Sequence, residues 1–334
     1  MSRVLKEPIA VLGGGAWGTA LGIQLARSGR AVRLWARDPA HVAEMISDRE
    51  NRRRLPGAAF PDSLQAEAEL PTALADSRDV LIAVPSHAFR ETLEALRANR
   101  PEGLRLAWAT KGFEPGTGRL AEAVVAEVLG EGLPMAVLTG PTFAAEVGRG
   151  LPTAMTVAST DATFAADLAD TLHGDHFRAY TSPDLIGAEV GGAVKNVIAI
   201  GAGVSDGLGF GANARVALIT RGLAEMIRLG EALGGQRDTL TGLAGMGDLV
   251  LTCTDDQSRN RRFGLALASG KSVDEARAEI GLVEGAMAAA EVCRIGAGLG
   301  IEVPIAEQVH AMVDQGVPPL EAAEQLLRRE RKPE

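Results

Sequence analysis

The sequence has little cysteine, few aromatic side chains and no long uncharged apolar run. Its 334 residues include 2 cysteines, Cys253 and Cys293. Two cysteines cannot build the disulfide framework of a small secreted domain, and they suit a reducing cytoplasm. No uncharged apolar stretch reaches the roughly 18 residues that a membrane helix needs, and no signal-like segment precedes the first apolar run. We therefore expect a cytoplasmic protein without a membrane span.

Positive charge is also scarce. The chain has 34 Lys and Arg against 43 Asp and Glu, which gives a formal net charge of -9. A nucleic-acid-binding surface needs an excess of basic side chains, so a nucleic-acid partner is not expected. The histidines and cysteines are not grouped as metal ligands. His173 and His176 are separated by Gly174-Asp175, which is typical of a turn, so no metal site is expected.

Strand-like and helix-like patterns alternate in the first half of the chain. After a first apolar run at residues 8–12, strand-like runs recur at 31–35, 79–84, 104–109, 135–138 and 153–158. Amphipathic stretches such as 87–98 and 119–129 lie between them. Such alternation is typical of a mainly parallel sheet that is covered by helices on both faces.

The pattern changes after residue 183, where strand-like runs almost disappear. Long helical patterns cover 184–203, 212–233, 259–268, 284–299, 303–313 and 320–329. The glycines of the first pattern, 184–203, predict a central helix that neighbouring helices approach closely and bury. We predict a Rossmann-like, doubly wound α/β domain over residues 1–185, followed by an all-α domain over residues 186–334.

The most informative local pattern is a glycine-rich turn between the first strand and the first helix. Gly13, Gly15 and Gly18 have the spacing G-x-G-x-x-G. The first glycine permits a tight turn, the second lets the backbone approach a pyrophosphate, and the third lets helix and strand pack closely. The helix N-terminus offers N–H groups and a positive dipole end to an anion. This context predicts a dinucleotide site.

Other candidate residues follow the predicted strands, because ligands of open parallel sheets bind beyond the carboxyl ends of the strands. Arg37 follows the second strand and would attract the 2′-phosphate of NADPH. Asp38, one residue later, keeps NADH possible, and a solvated arginine is the alternative. Lys111 lies at the end of the fourth run and is a candidate ligand contact.

In the helical half, Lys195 is the most unusual residue. It lies in an apolar helical pattern, and its neighbours three and four positions away offer no carboxylate. Such a lysine either extends to solvent or faces a cleft in which desolvation lowers its pKa. In the second case it could donate a proton to a carbonyl group that is being reduced.

Two further stretches place polar groups in this half. Asp248 ends the glycine-rich stretch 245–248, where it is either a site residue in a turn or a helix cap. Ser258 begins a helical pattern that continues with Arg259 and Asn260. A capped helix start with a guanidinium group can bind a phosphate dianion, although a simple capped helix with exposed arginines fits the same pattern.

Taken together, these motifs resemble the bacterial NAD(P)-dependent sn-glycerol-3-phosphate dehydrogenase family. The segments that carry the resemblance follow the family's order at 13–18, 109–112, 140–144, 191–196, 211–215, 245–254 and 258–260. The resemblance implies reversible reduction of dihydroxyacetone phosphate to sn-glycerol 3-phosphate, which feeds glycerophospholipid synthesis. It also implies NADPH or NADH as cofactor, and Arg37 favours NADPH.

The resemblance also implies roles for individual residues. Lys195 would be the general acid/base, and Lys111 would contact both substrate and cofactor. The other implied substrate contacts are Gly140, Thr142, Asp248, Ser258, Arg259 and Asn260. The implied cofactor contacts are Gly13, Gly15, Ala16, Trp17, Gly18, Arg37, Ala144, Leu282 and Glu284, with Arg259 shared. Ala16 stands where the family often has a hydroxyl residue, which leaves only a backbone contact there.

Two alternatives fit part of the same pattern. One is an NADP-dependent reductase of a 2-keto or 3-hydroxy acid, in which Arg259 would bind a carboxylate. The other is a protein that senses NAD(P)H without turnover, which would have no need of Lys195 as a proton donor. The long glycine-rich helical half makes a homodimer plausible.

Overall fold

The computed structural model describes residues 7–329, and the chain divides into two compact units. Unit 1 comprises the residues up to Lys111 and residues 121–188. Unit 2 comprises residues 112–120 and the residues from Glu189 onward. Residues 1–6 and 330–334 of the two predicted domains lie outside the described residues. The sequence placed a single boundary at residue 185 and did not predict that 112–120 would join the second unit.

Unit 1 is built on an eight-stranded sheet with the order β3-β2-β1-β4-β5-β6-β7-β8. Its strands are β1 (Ile9–Leu12), β2 (Val32–Trp35), β3 (Leu64–Glu67), β4 (Asp79–Ile82), β5 (Arg105–Trp108), β6 (Met135–Thr139), β7 (Thr153–Ser159) and β8 (Phe177–Ser182). Neighbouring strands run parallel except β6 and β7. The predicted doubly wound, mainly parallel sheet is confirmed, although β3 and β8 were not predicted.

The helices of unit 1 pack against this sheet or against one another. They are α1 (Ala16–Arg27), α2 (Pro39–Asp48), α3 (Leu70–Leu74), α4 (Phe89–Ala98), α5 (Ala121–Leu129), α6 (Ala144–Arg149) and α7 (Ala162–Leu172). Helix α6 packs against α1, and α5 packs against α4. Leu21 of α1 and Phe164 of α7 belong to one buried cluster with Val11 of β1. Phe89 of α4 meets Trp108 of β5 edge-to-face, with ring centroids 6.1 Å apart.

Unit 2 is helical, as predicted. Its helices are α8 (Leu185–Gly207), which begins in unit 1, then α9 (Gly211–Ala232), α10 (Arg237–Thr241), α11 (Asp248–Thr254), α12 (Arg259–Ala268), α13 (Val273–Ile280), α14 (Glu284–Leu299), α15 (Pro304–Asp314) and α16 (Pro319–Leu327). A π-helical turn, Leu243–Gly247, precedes α11. The sequence did not predict α10, α11, α13 or this turn.

Helix α8 is the central helix of this unit. It is long and apolar enough to cross a membrane, but 94% of its most apolar window is buried inside the protein. That burial is typical of the core helix of a globular domain. A Cβ on Gly191 would lie 2.6 Å from the carbonyl oxygen of Ala244, and one on Gly203 would overlap the carbonyl of Arg261. These close approaches explain why glycines occur within the helix, as the sequence analysis expected.

The short segment 112–120 is anchored within unit 2 by a buried carboxylate. Glu291 of α14 is 6% exposed, and its Oε1 accepts a hydrogen bond of 2.7 Å from the backbone N–H of Gly116. A Cβ on Gly118 would lie 3.2 Å from Oε2 of the same side chain, and Gly118 has a φ of 70°. The segment is therefore fitted closely against α14.

A second buried acid holds the start of α15. Glu225 of α9 is 4% exposed, and its carboxylate accepts hydrogen bonds from the backbone N–H groups of Ile305, at 2.8 Å, and Ala306. Burial raises the pKa of Glu225 to about 7, although the two N–H groups and Arg228 favour the charged form and Glu307 opposes it.

This raised pKa should make stability depend on pH. Because the folded-state pKa of Glu225 lies above the ordinary value of 4.5, this side chain stabilises the folded state fully only below about pH 4.5. That stabilisation is lost as the pH rises through about 7. Relative to the Glu225→Gln variant, the wild type should lose on the order of 3 kcal/mol of unfolding free energy across this range. Urea unfolding followed by circular dichroism at about pH 5 and about pH 8 measures the difference. Parallel pH dependence in the two proteins would contradict the prediction.

Candidate active site

The turn between β1 and α1 forms an open backbone cradle. Gly13 has a φ of 131°, and a Cβ on Gly18 would overlap the Gly13 carbonyl oxygen. A Cβ on Gly15 would meet nothing within 4 Å. Within the described residues no side chain caps the start of α1, whose N-cap residue is Gly15. The indole Nε1 of Trp17 is buried and has no hydrogen-bond partner there. Open space, uncapped N–H groups and a buried donor fit the pyrophosphate of a dinucleotide.

The two candidates after β2 play different parts. Asp38 caps α2, because its Oδ1 accepts a hydrogen bond of 3.0 Å from the N–H of Ala40. The side chain of Arg37 is 81% exposed and lies 3.8 Å from the carboxylate of Glu91. An exposed ion pair of this kind contributes little, so a phosphate could replace the glutamate. Asp38 is therefore engaged as a helix cap, whereas the guanidinium of Arg37 is largely exposed to solvent.

Three candidates of unit 1 meet at the ends of β5 and β6. Lys111 Nζ lies 3.4 Å from the carbonyl oxygen of Gly140, and Thr142 Oγ1 lies 3.2 Å from the same oxygen. Gly140 has a φ of 135°, which side chains rarely permit. Ala144 is the first residue of α6. The structure thus groups Lys111, Gly140 and Thr142 at the carboxyl edge of the sheet, where a ligand is expected.

Lys195 is buried in unit 2, where Asp248 and Thr252 are among its polar partners. It is 6% exposed, and its Nζ donates hydrogen bonds to Asp248 Oδ1 at 2.6 Å and to Thr252 Oγ1 at 2.8 Å. The Thr252 hydroxyl donates in turn to the carbonyl oxygen of Asp248, at 2.6 Å. Asp248 is fully buried. The ammonium group of Lys195 therefore does not extend to solvent. It forms an ion pair with Asp248, and this pair joins α8 to α11.

The glycine-rich stretch before Asp248 allows this pairing. The sequence left open whether Asp248 lies in a turn or caps a helix; residues 243–247 wind into a π-helical turn that continues directly into α11. A Cβ on Gly245 would overlap the carbonyl of Leu240, so the glycine permits a close approach of backbone. Asp248 is the first residue of α11, and its side chain binds Lys195.

The start of α12 offers an anion-binding arrangement in the same unit. Ser258 caps the helix as predicted, since its Oγ accepts a hydrogen bond of 3.2 Å from the N–H of Arg261. The guanidinium of Arg261 is bound by Asp206, at 2.6 Å. Arg259, the first helical residue, is exposed. An anion at this helix start would meet backbone N–H groups, the positive end of the dipole and a guanidinium group.

The remaining candidates lie around the start of α14. Leu282 and Glu284 are half-buried, and Glu284 is the first residue of the helix. Asn260 is 8% exposed, and its side-chain amide bonds to Asn196 and to the N–H of Gly285. The structure thus brings Asn260 next to the predicted cofactor segment.

Two residues at this site, Thr252 and Asn196, were not predicted from the sequence. Thr252, which bonds Lys195, lies four positions after Asp248, a spacing that places both on one face of a helix. Once α11 is recognised, this spacing would have identified it. Asn196 follows Lys195 directly and bonds Asn260 at 2.9 Å, but no local pattern indicates that partner.

Comparison with known proteins gives a consistent answer over nearly all of the chain. The family models described as the N-terminus and the C-terminus of NAD-dependent glycerol-3-phosphate dehydrogenase match residues 8–165 and 184–324. The glycerol-3-phosphate dehydrogenase (NAD(P)+) of Nitrosococcus oceani is 59% identical over 97% of this chain and 94% of its own length. That of Shewanella amazonensis is 56% identical over 98% of this chain and 97% of its own length.

A solved structure agrees with these relatives. The crystal structure of glycerol-3-phosphate dehydrogenase from Coxiella burnetii is 49% identical, with a TM-score of 0.94 over 97% of this chain and 99% of that one. The chain therefore belongs to the NAD-dependent glycerol-3-phosphate dehydrogenase family.

Proposed function

We propose that this oxidoreductase catalyses the reversible NAD(P)H-dependent reduction of dihydroxyacetone phosphate to sn-glycerol 3-phosphate. The observation that carries the proposal is the buried Lys195 ammonium, which Asp248 and Thr252 hold in the same unit as the Ser258-capped start of α12. The first group is suited to a carbonyl oxygen and the second to a phosphate, and dihydroxyacetone phosphate contains both.

Lys195 acts as the general acid in this proposal. When bound, a reduced nicotinamide supplies the hydride for the C2 carbonyl. The Nζ of Lys195 donates a proton to the C2 oxygen as negative charge develops there, and in the reverse direction it accepts the hydroxyl proton. Asp248 and Thr252 fix the ammonium group at 2.6 Å and 2.8 Å, so that little reorganisation is needed during the reaction.

The start of α12 holds the substrate phosphate. The backbone N–H groups of Arg259 and Asn260 belong to the first turn, which has no intrahelical acceptor for them. A phosphate dianion there gains these donors, the helix dipole and the Arg259 guanidinium. Binding energy from the phosphate then positions the carbonyl group, which lies elsewhere on the substrate.

The exposed guanidinium of Arg37 supports NADPH as the preferred form of the cofactor. Arg37→Ala should weaken NADPH binding by about 1–3 kcal/mol and leave NADH binding nearly unchanged, because only NADPH carries the 2′-phosphate. Fluorescence titration with each cofactor measures both affinities. Arg100→Ala, which removes another exposed arginine of unit 1, serves as the control. Equal weakening of both cofactors by Arg37→Ala would show that Arg37 does not contact the phosphate.

The proposed reaction is tested by following NAD(P)H absorbance with purified protein. Dihydroxyacetone phosphate, ketopantoate and a series of 2-keto acids are offered as substrates. We expect rapid oxidation of NADPH with dihydroxyacetone phosphate alone. Good reduction of a 2-keto acid without reduction of dihydroxyacetone phosphate would mean that the start of α12 binds a carboxylate, and the proposed substrate would be wrong.

We further propose that the enzyme works in the cytoplasm, where its product feeds glycerophospholipid synthesis. The two cysteines support this placement, because neither Cys253 nor Cys293 is paired in a disulfide, as is usual in a reducing compartment. A homodimer is part of the same proposal, and light scattering of the purified protein gives its mass.

A further inference from the structure

A buried asparagine supports the glycine-rich turn from inside unit 1. Asn51 lies in the loop after α2 and is fully buried. Its Nδ2 donates hydrogen bonds to the carbonyl oxygen of Gly14, at 3.0 Å, and to Thr19 Oγ1 on α1, at 2.8 Å. Its Oδ1 accepts a hydrogen bond from the backbone N–H of Arg54, at 3.2 Å, and lies 2.8 Å from Nε2 of His41 on α2. These four contacts use the full hydrogen-bonding capacity of the amide.

The partners of Asn51 fix the orientation of its amide. The Gly14 carbonyl can only accept a hydrogen bond, and the Arg54 N–H can only donate one. The nitrogen of the amide must therefore face Gly14, and the oxygen must face Arg54. His41 lies on the oxygen side, so its Nε2 carries a proton and donates it to the bond. His41, which is 8% exposed, thus helps to hold the amide in the orientation that Gly14 requires.

The bond to Gly14 decides which way one peptide group of the turn faces. In a planar trans peptide the C=O and N–H bonds point in opposite directions, so a Gly14 carbonyl directed at Asn51 turns the N–H of Gly15 away from it. The space beside Gly15 is open, since a Cβ there would meet nothing within 4 Å. A Cβ on Gly14 would lie 2.6 Å from the Cβ of Ala36, the residue after β2, so the turn is confined on that side.

We infer that Asn51 is a positioning residue for the dinucleotide, because it holds the Gly14 carbonyl inside the protein so that the N–H of Gly15 faces the pyrophosphate. Without this bond the peptide group would be free to rotate, and a carbonyl oxygen would then meet the negative charge of the pyrophosphate. NADPH and NADH share the pyrophosphate, so Asn51 acts equally on both, unlike Arg37. The inference rests on the proposed function only in that the turn binds the dinucleotide.

Replacement of Asn51 by aspartate should weaken both cofactors. An ionised carboxylate has nearly the shape of the amide but cannot donate to Gly14. Asn51→Asp should therefore raise the Kd of NADPH and that of NADH by the same factor, about tenfold or more, the scale of one lost buried hydrogen bond. Fluorescence titration of the protein without substrate measures both values. At saturating NADPH, kcat and the KM for dihydroxyacetone phosphate should change by less than about threefold, because the substrate groups are untouched.

Gln24→Glu is the matched control. Gln24 is a buried amide in the second half of α1, and its Nε2 donates to the backbone carbonyl oxygen of Leu172 at 2.9 Å. This substitution also replaces a buried amide donor by a carboxylate next to a carbonyl group, but away from the turn. It should lower the melting temperature about as much as Asn51→Asp and should leave the Kd values of both cofactors unchanged.

Thr19→Val tests the other bond of the same nitrogen. Valine offers no acceptor to Asn51, but the bond from Asn51 to Gly14 remains. Both Kd values should therefore stay within about threefold of those of the wild type. Thermal unfolding shows whether each variant is folded. If Asn51→Asp is not, Asn51→Ala decides, since it removes the same bond without adding a charge and should raise both Kd values about tenfold.

Four results would overturn the inference. They are unchanged Kd values in a folded variant of Asn51, a weakening of NADPH without an equal weakening of NADH, a weakening in Gln24→Glu as large as in Asn51→Asp, and an equally large weakening in Thr19→Val. Failure of the proposed function is a separate result, because it appears as wild-type protein that binds both cofactors and does not turn over dihydroxyacetone phosphate.

Discussion

Replacement of Lys195 by methionine should lower kcat about a hundredfold or more, the usual scale for loss of a general acid. Methionine keeps the length and the apolar stem of the lysine but cannot donate a proton. The KM for NADPH should change little, because Lys195 is not among the predicted cofactor contacts. Stopped-flow or steady-state NADPH oxidation with dihydroxyacetone phosphate measures the effect.

The structure adds a consequence for stability that must be separated from the loss of turnover. Lys195→Met leaves the fully buried carboxylate of Asp248 without its cation, which should cost about 3–5 kcal/mol of unfolding free energy. The double variant Lys195→Met with Asp248→Asn removes that charge and should recover much of the stability while kcat stays low. Near-normal turnover in either variant would move the search for the proton donor to Lys111.

The second large effect is expected at the start of α12. Arg259→Ala should lower kcat/KM for dihydroxyacetone phosphate. The fall should correspond to a loss of about 2–5 kcal/mol of transition-state stabilisation, because a hydrogen-bonded charge partner of the phosphate is lost. The wild type should reduce unphosphorylated dihydroxyacetone very poorly, and Arg259→Ala should make that activity little worse. Added guanidinium ion should restore part of the activity toward the phosphorylated substrate.

Arg262→Ala is the matched control for this prediction. Arg262 is an exposed arginine of the same helix but lies one turn further from its start. Its loss should leave kcat/KM nearly unchanged. If both variants lose activity equally, the effect belongs to the general charge of α12. If Arg259→Ala loses as much activity toward dihydroxyacetone as toward its phosphate, the guanidinium group does not bind the phosphate.

The sequence predicted the centre of the sheet well and its edges poorly. Central strands such as β1, β4 and β5 are buried along their whole length, and their residues are apolar apart from the ion-paired Asp79 and Arg105 at the starts of β4 and β5. The two unpredicted strands, β3 and β8, form the two edges of the sheet. Their residues are partly exposed, as in Leu64–Glu67, and the sequence there mixes polar and apolar residues.

The candidate site shows the same limit of local patterns. Lys195 could be singled out because its own helix offers no carboxylate, yet its partners Asp248 and Thr252 lie 53 and 57 residues further along the chain. Helical spacing compares only residues three or four positions apart, so it cannot find an ion pair between two helices. Gly245 fits a turn in the sequence, but in the structure it permits a close approach of the Leu240 backbone and of α8 at Gly191.

The segment 112–120 also has a meaning for how such a protein can be divided or recombined. A gene fragment that begins at residue 186 would encode α14 with Glu291 but without Gly116, and so would leave a buried carboxylate without its backbone donor. An exchange of the two halves between relatives at one crossover would likewise combine Glu291 of one parent with the loop of the other. The loop and α14 should therefore be inherited together, even though 175 positions separate Gly116 from Glu291. A chimera that keeps each unit from a single parent therefore takes three crossovers, at the ends of this loop and near residue 188.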